Sequence, residues 1–290
     1  MAANERADAS RADASRSEAS RSAEIQTEAD GCFGDFATMP AISCPDSTRV
    51  EEAGQQRGSV CAIIVAGGTG SRFGNPGGKQ LVEIAGRPML SWTIEAFDCA
   101  HAISHIVVVC PEERCAEYRV RAVEPYGFET PITFADAGMT RQDSTHAGLV
   151  AAPEGCAYVA IHDGARPLIR PETIDAAVQA LCADADLDGV VCGQPAIDTL
   201  KIADPVGLID STPDRSQFWC VQTPQVFRTD ALRQAMDLAT RTGFVGTDDA
   251  SLVEEAGGLL RCIEAPRDNL KVTVPEDLPL VEAIMQMRRN

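Results

Sequence analysis

Apolar runs and polar breaks alternate along most of this chain. Cys61–Val65 is a run of the kind that forms a strand buried on both faces, and it breaks into Ala66-Gly67-Gly68-Thr69-Gly70. Leu90, Trp92, Ile94 and Phe97 follow the turn Gly86-Arg87-Pro88 at helical spacing within Leu81–Ala100. Ile106–Cys110 is a second apolar run, ended by Pro111-Glu112. Strand, helix and strand of this size predict a right-handed parallel unit. Further strands are expected at Pro131–Ala135, Tyr158–Ile161 and Gly189–Cys192. Helices are expected to open at Gly138–Ser144, to span Asp230–Thr240, and to follow Gly246–Ser251 and Pro275-Glu276-Asp277. The fold class is therefore α/β, a Rossmann-like, mostly parallel sheet. One segment breaks the pattern. Pro195–Phe227 alternates like a hairpin around Pro205-Val206-Gly207 and is too polar at its turn for a parallel core. It reads as a protruding β-arm, about 195–227, whose edges a second copy would cover.

The first 58 residues differ in kind. RADASRADASRSEAS repeats with a period of five and offers almost nothing large and apolar to bury, a composition expected of disorder. It has no apolar stretch of signal-peptide type, and Glu5, Asp8, Asp13, Glu18, Glu24 and Glu28 are out of place in a transit peptide. The expected division is a low-complexity tail, 1–58, and one domain, 59–290, of about 230 residues, enough for a sizeable core. No run approaches the ~18 apolar residues of a membrane span. A net charge of −18 argues against a general nucleic-acid binder. It does not forbid an anionic substrate, because a few cations set the field inside a pocket. Eleven cysteines, without metal-type pairing and several inside apolar runs, such as Cys110 and Cys192, read as small buried hydrophobes in a reducing cytoplasm.

The break after Cys61–Val65 carries the candidate chemistry. A strand feeding a Gly-rich turn with Arg72 and Lys79 close behind can hold phosphate: glycines let backbone N–H groups converge on anionic oxygens, and the cations neutralise the rest. It is not a Walker loop, since Gln80 follows Gly78-Lys79 and Phe73 stands where the first glycine belongs. A dinucleotide fingerprint fails too, because Gly68, Gly70 and Gly74 are spaced one residue too long.

The stretch resembles, nearly residue for residue, the signature loop of the sugar-phosphate cytidylyltransferase family, above all its methylerythritol-phosphate branch. The pattern A-[AG]-G-x-G-x-R-[MF]-G, a spacer, then P-K-Q is matched at Ala66, Gly67, Gly68, Gly70, Arg72, Phe73, Gly74, Lys79 and Gln80. Gly78 departs from the usual proline, which predicts a more mobile loop ordered by nucleotide. Four more motifs follow in order. Gly138-Met139-Thr140-Arg141-Gln142-Asp143-Ser144 resembles the cytosine-recognition segment, with Met139 in place of a polar residue; Asp143-Ser144 read from the residues alone is a helix cap. His162-Asp163-Gly164-Ala165-Arg166-Pro167 resembles H-D-x-x-R-P; Thr247–Ser251 and Asn269–Thr273 resemble T-D-[DE]-A-S and N-[IL]-K-V-T.

The resemblance implies a GT-A-like nucleotidyltransferase that joins CTP to a polyol phosphate with Mg²⁺ and releases pyrophosphate. It implies Arg72, Lys79 and Lys271 as catalytic, and Ala66, Gly67, Gly68, Gly70, Gly138 and Ser144 at CTP. Asp163, Arg166, Thr199, Arg215, Thr223 and Thr247 fall to the acceptor, with Asp163 also near the metal and His162 orienting or structural. In the family the arm carries its threonine and arginine, here Thr199 and Arg215, to the partner subunit of a homodimer. Methylerythritol phosphate is the expected acceptor and ribitol 5-phosphate the alternative.

Overall fold

The structure is a computed structural model and describes residues 60–68, 73 and 78–289. The readings placed on the tail, on Gly70 and on Arg72 lie outside the described residues. A seven-stranded sheet carries the fold: β1 (Val60–Val65), β2 (Ile103–Cys110), β3 (Ile132–Asp136), β4 (Tyr158–Asp163), β5 (Gly189–Pro195), β6 (Trp219–Arg228) and β7 (Leu260–Glu264). In space they run β7-β5-β6-β4-β1-β2-β3, and every pairing is parallel except those that β6 makes. Among the described residues the helices of seven residues or more are α1 (Met89–Asp98), α2 (Arg141–Ala151), α3 (Pro171–Cys182), α4 (Thr229–Thr242), α5 (Asp249–Glu255) and α6 (Asp277–Arg289).

The unbroken apolar run of β1 has a simple cause: helices cover both sides of it. Ala62 and Ile64 pack with Leu90, Ile94 and Phe97 of α1 and with Ile174 and Leu181 of α3. Cys61 and Ile63 face the other way, onto Leu149 of α2, Leu232 and Met236 of α4, and Leu252 of α5. With period two along the strand, no position of β1 is left for a polar side chain. A third cluster sets Val281 and Met285 of α6 against Phe73, Leu168 and Val272.

This order creates a switch point. The chain leaves β1 toward β2 and β3 on one side, then returns to lay β4 on the other, so the loops after β1 and β4 diverge. In open α/β sheets ligands bind in the crevice outside such a pair of carboxyl ends. Here the pair ends in Val65 and Asp163, which are partners in the register.

The reading of Pro195–Phe227 as one arm outside the core needs correction at its end. Trp219–Arg228 is β6, inserted between β4 and β5, with Gln225, Val226 and Phe227 buried. The alternation was real, but its last apolar residues face two helical layers rather than solvent. The middle stands out as a ribbon, Ile202–Ala203 against Ile209–Ser211, all exposed, and Trp219–Val221 at the start of β6 is exposed as well. One further difference concerns the C-terminal part: Leu260–Glu264 pairs with β5 as a seventh strand, and Lys271 follows it in irregular chain. Cys110 and Cys192 are core residues as expected, and burial pushes their thiols up to about 12, whereas Cys99, Cys182 and Cys220 are exposed. No helix among the described residues is long and apolar enough to cross a membrane.

Candidate active site

A cleft of about 540 Å³ opens at the switch point. Gly67 and Gly68 bring the loop after β1 to it, Gly138–Arg141 and Ser144 the start of α2, Asp163 and Ala165 the end of β4, and Lys79 and Lys271 two separate loops. Close backbone approach explains two of these glycines. A Cβ on Gly67 would collide with that of Ala137, so a larger residue there would push the loop after β1 off the segment before α2, and a Cβ on Gly138 would collide with that of Asp143 inside its own tight turn.

The start of α2 is fixed by a capping box, but Thr140 caps it rather than Asp143-Ser144. Its hydroxyl accepts from the Asp143 amide at 3.0 Å, and the Asp143 carboxylate accepts from the Thr140 amide at 3.0 Å. Ser144 then serves the loop: its Oγ donates to the Thr140 carbonyl at 2.9 Å and accepts from the Gly138 amide at 3.2 Å. Met139, between two anchored neighbours, is almost fully exposed at the rim of the cleft.

Asp163 is the electrostatic centre. Lys271 Nζ stands 2.7 Å from its Oδ2, Arg166 Nε 3.6 Å from the same atom, and Arg141 Nε 3.4 Å from Oδ1. Burial alone would push this carboxyl up, but Arg141, Lys271 and Arg166 together hold it well below the ordinary carboxylate range. Its backbone amide donates to Thr223 Oγ1 at 3.0 Å, so Thr223 is buried behind the carboxylate. Arg166 also lies behind it, with Nη1 donating to the Asn269 carbonyl at 2.9 Å, and burial draws its pKa down.

Asn269 in turn explains how Lys271 arrives. Its side-chain amide donates to Gln222 Oε1 and to the Thr223 carbonyl, both at 3.0 Å, where the β6 register is interrupted. Val272 is fully buried, and its amide donates to the Ala165 carbonyl at 2.8 Å. Lys271 is thus held between two anchored neighbours with its ammonium on Asp163. Lys79 reaches the same segment from the other side, donating to the Val272 carbonyl at 2.6 Å. His162 is fully buried against the ring of Phe97, and burial lowers its pKa to about 3, so it is neutral and structural.

The site residues expected from sequence therefore fall into three groups. Lys79, Lys271, Asp163, Gly67, Gly68, Gly138 and Ser144 line one cleft, with Ala66 buried beneath it. Arg166 and Thr223 stand one layer behind. Thr199, Arg215 and Thr247 are exposed outside it; Arg215 donates to the Ile197 carbonyl at 2.6 Å within the arm, and Thr247 precedes Asp248, which caps α5. The reading missed Arg141, although it was in view inside a motif. Arg141 lines the cleft and binds Asp249 at 2.7 Å as well as Asp163, two carboxylates that keep its guanidinium charged despite burial.

A cleft of about 540 Å³ at the switch point of an α/β sheet, walled by glycine backbone and by cations around one carboxylate, has the make-up of a site for the phosphates of a nucleotide, as in a nucleotidyltransferase. Comparison with known proteins narrows the class. A profile of 2-C-methyl-D-erythritol 4-phosphate cytidylyltransferase matches residues 60–287. The protein of that name from Syntrophotalea carbinolica is 43% identical over 229 residues, covering 78% of this chain and 96% of the relative. The one from Prochlorococcus marinus is 39% identical, covering 79% and 99%. Among solved structures, 4-diphosphocytidyl-2C-methyl-D-erythritol synthase from Anaerococcus prevotii superimposes with a TM-score of 0.70 at 25% identity, over 79% of this chain and 99% of that one. The Thermus thermophilus cytidylyltransferase gives 0.62 at 28%, over 77% and 98%. The chain belongs to the 2-C-methyl-D-erythritol 4-phosphate cytidylyltransferase family.

Proposed function

We propose that this chain transfers a cytidylyl group from CTP to 2-C-methyl-D-erythritol 4-phosphate, giving CDP-methylerythritol and pyrophosphate, in the non-mevalonate synthesis of isoprenoid precursors. The observation that carries the reading is the convergence of Lys79 and Lys271 on the cleft beside Asp163 in a chain of this family. The ribitol 5-phosphate alternative is set aside, because the relatives named above carry the methylerythritol name.

An oxygen of the acceptor phosphate attacks the α-phosphorus of CTP; the new P–O bond forms as the bond to the bridging oxygen breaks, and pyrophosphate leaves with the electron pair. The nucleophile is already an oxyanion and needs no base, so the protein's task is to bring two anions together. Lys79 and Lys271 neutralise charge that builds on the α-phosphate and the leaving group, joined by Arg72, which lies outside the described residues. Lys271 must turn from Asp163 to phosphate to do so, and Arg141 and Arg166 keep the carboxylate ionised when it leaves. Gly67, Gly68, Gly138 and Ser144 present backbone and hydroxyl groups to the nucleotide.

The cofactor in this reading is Mg²⁺. Among the described residues no group of three His, Cys, Asp or Glu side chains could form a protein-only cage. Asp163 offers one oxygen, Oδ1, whose nearest cation is 3.4 Å away, and that suits an ion bound mainly through nucleotide phosphates and water. Such an ion would supply charge neutralisation across the phosphates.

The reading includes a homodimer in the cytoplasm. The arm exposes Ile202, Val206, Leu208 and Ile209, an apolar ribbon that a second copy would cover, and it carries Thr199 and Arg215 away from its own cleft. The test combines both parts. Purified protein should release pyrophosphate from CTP with methylerythritol phosphate and not with ribitol 5-phosphate. Arg215→Ala and Lys79→Ala proteins, each inactive, should regain activity when refolded together, because one cleft of the mixed dimer then has an intact lysine and an intact arm. Ribitol-dependent release overturns the acceptor; no regain overturns the exchanged arm.

A further inference from the structure

Arg141 and Gln142 form the first turn of α2, directly after the stretch that walls the nucleotide side of the cleft. Both side chains leave that side and grip a segment more than a hundred residues later. Arg141 Nη1 donates to Asp249 Oδ2 at 2.7 Å, and Gln142 Oε1 accepts from the Gly246 amide at 3.2 Å while its Nε2 donates to the Phe244 carbonyl at 3.4 Å. Between those anchors stands Thr247, exposed and just ahead of α5.

The far end is tied at several points. Asp248 caps α5 through the Ser251 amide at 2.9 Å, Gln225 donates to Asp248 Oδ2 at 2.6 Å, and Gln225 Oε1 accepts from the Ala250 amide at 3.1 Å. Asp249 is 1% exposed, and burial pushes its carboxyl up even with Arg141 beside it. A buried carboxylate on a pinned helix start cannot follow a moving guanidinium. Arg141 is therefore fixed from below by Asp249, and its Nε, 3.4 Å from Asp163, is the part that feels the cleft. Two separate nitrogens of one rigid fork meet the two carboxylates, Nη1 at Asp249 and Nε at Asp163, an arrangement that a single ammonium nitrogen does not reproduce.

We propose that Arg141 and Gln142 are positioning residues that couple the two substrate sides of the cleft, so that nucleotide bound at the start of α2 sets segment 244–249, and with it Thr247, for the acceptor phosphate. This rests on the reading given under Proposed function, with Thr247, which is not among the residues lining the cleft, at the acceptor phosphate as the family resemblance implies. The bridge works by removing slack. Nucleotide that draws on Gly138–Arg141 shifts the first turn of α2, and two side-chain links carry the shift to 244–249. Coupling of this kind is reciprocal in binding and of the order of tenfold.

The test uses full-length protein and starts with pyrophosphate release by the wild type from CTP and methylerythritol phosphate. If there is none, the functional reading fails and this proposal falls with it. If there is, the affinity for methylerythritol phosphate is measured by calorimetry with and without the non-reacting analogue α,β-methylene-CTP and Mg²⁺. In the wild type the analogue should tighten acceptor binding roughly tenfold. In Asp249→Asn, and independently in the milder Gln142→Ala, that factor should fall to about two or less, with affinity for the analogue alone within about twofold of wild type. Arg141→Lys should recover less than half of what Arg141→Gln loses, because one ammonium nitrogen cannot stand where both Nη1 and Nε do. A factor near one in the wild type, or an undiminished factor in Gln142→Ala and Asp249→Asn, overturns the proposal. Lowered melting temperature with unchanged coupling would mean the links are only structural, and overturns it equally.

Discussion

Replacing Asp163 by asparagine separates charge from shape at the centre of the cleft. The two side chains are nearly the same size, so packing is kept while three cations lose their common anion. That anion is 11% exposed and holds Lys271 at 2.7 Å, Arg141 at 3.4 Å and Arg166 at 3.6 Å. Removing one partner from a buried ion pair destabilises a protein by about 3–5 kcal/mol. Lys271 is 40% exposed and can turn to water, which reduces the figure to about 2–3 kcal/mol. At a urea dependence of about 2–3 kcal/mol per molar, the unfolding midpoint should fall by about 1 M. The pH dependence has a definite sign. The folded carboxyl lies below its ordinary value, so on acidification the unfolded chain takes up this proton first. The contribution is complete above the ordinary value of about 4 and is lost as the pH falls toward the folded value. Urea titrations of both proteins should therefore show a constant gap from about pH 8 to about pH 6 that narrows below about pH 4. A gap under about 0.5 kcal/mol at neutral pH, or one that does not narrow in acid, would refute the reasoning.

Other substitutions probe separate links. Lys79→Ala should lower turnover by about 10²–10³ with an unchanged circular dichroism spectrum, and near-normal pyrophosphate release would remove Lys79 from the mechanism. Gly148→Ala would drive a methyl group into Ile63 and within 2.9 Å of Val109 Cγ2; overpacking should outweigh the gain of about 1 kcal/mol in helix propensity and leave a net loss of about 1–2 kcal/mol in urea, so any stabilisation contradicts the packing described. Gly78 has φ +70 and ψ 150, and an added Cβ would stand 2.7 Å from Arg114 Nη1, so Gly78→Ala should cost about 1–3 kcal/mol, read as a lower melting temperature that CTP partly restores. An unchanged melting temperature would show that this backbone is not held in that conformation.

The parallel core was legible because its signal is local. A strand covered on both faces must be apolar at every position, and Cys61–Val65 shows that in five consecutive letters. β6 was misread for the converse reason: the same alternation serves an exposed ribbon and a sheet strand, and what decides is which helices cover it. β7 was missed because Leu260–Glu264 carries Arg261 and Glu264 on an edge strand, where only one side is paired. Gly78 illustrates a third kind of limit. A departure from the family's proline was visible, but the left-handed φ and the packing of Arg114 against it come only with the fold.

For the site, sequence supplied the residues and not their pairings. Lys271 gained its weight from motif order, and its contact with Asp163 joins positions 108 residues apart, as does that of Arg141 with Asp249. A physical signal for Arg141 was nonetheless present. It opens a helix, where the aligned peptide dipoles place partial positive charge, and a cation there is unfavourable unless acids compensate it. Asp143, in the same turn, offsets part of that charge, but its carboxylate is directed to the Thr140 amide and makes no ion pair with Arg141. The ion pairs of Arg141 are made outside its own helix, with two carboxylates, one buried and one in the cleft, so the sequence placed the charge but only the fold shows its partners. The same reasoning explains why Asp249 is tolerated at 1% exposure: it lies in the first turn of α5, where the dipole favours an anion, with the guanidinium supplying the rest. The misfit of one charge with its own helix, and the fit of the other with its own, together fix the direction in which the bridge is anchored.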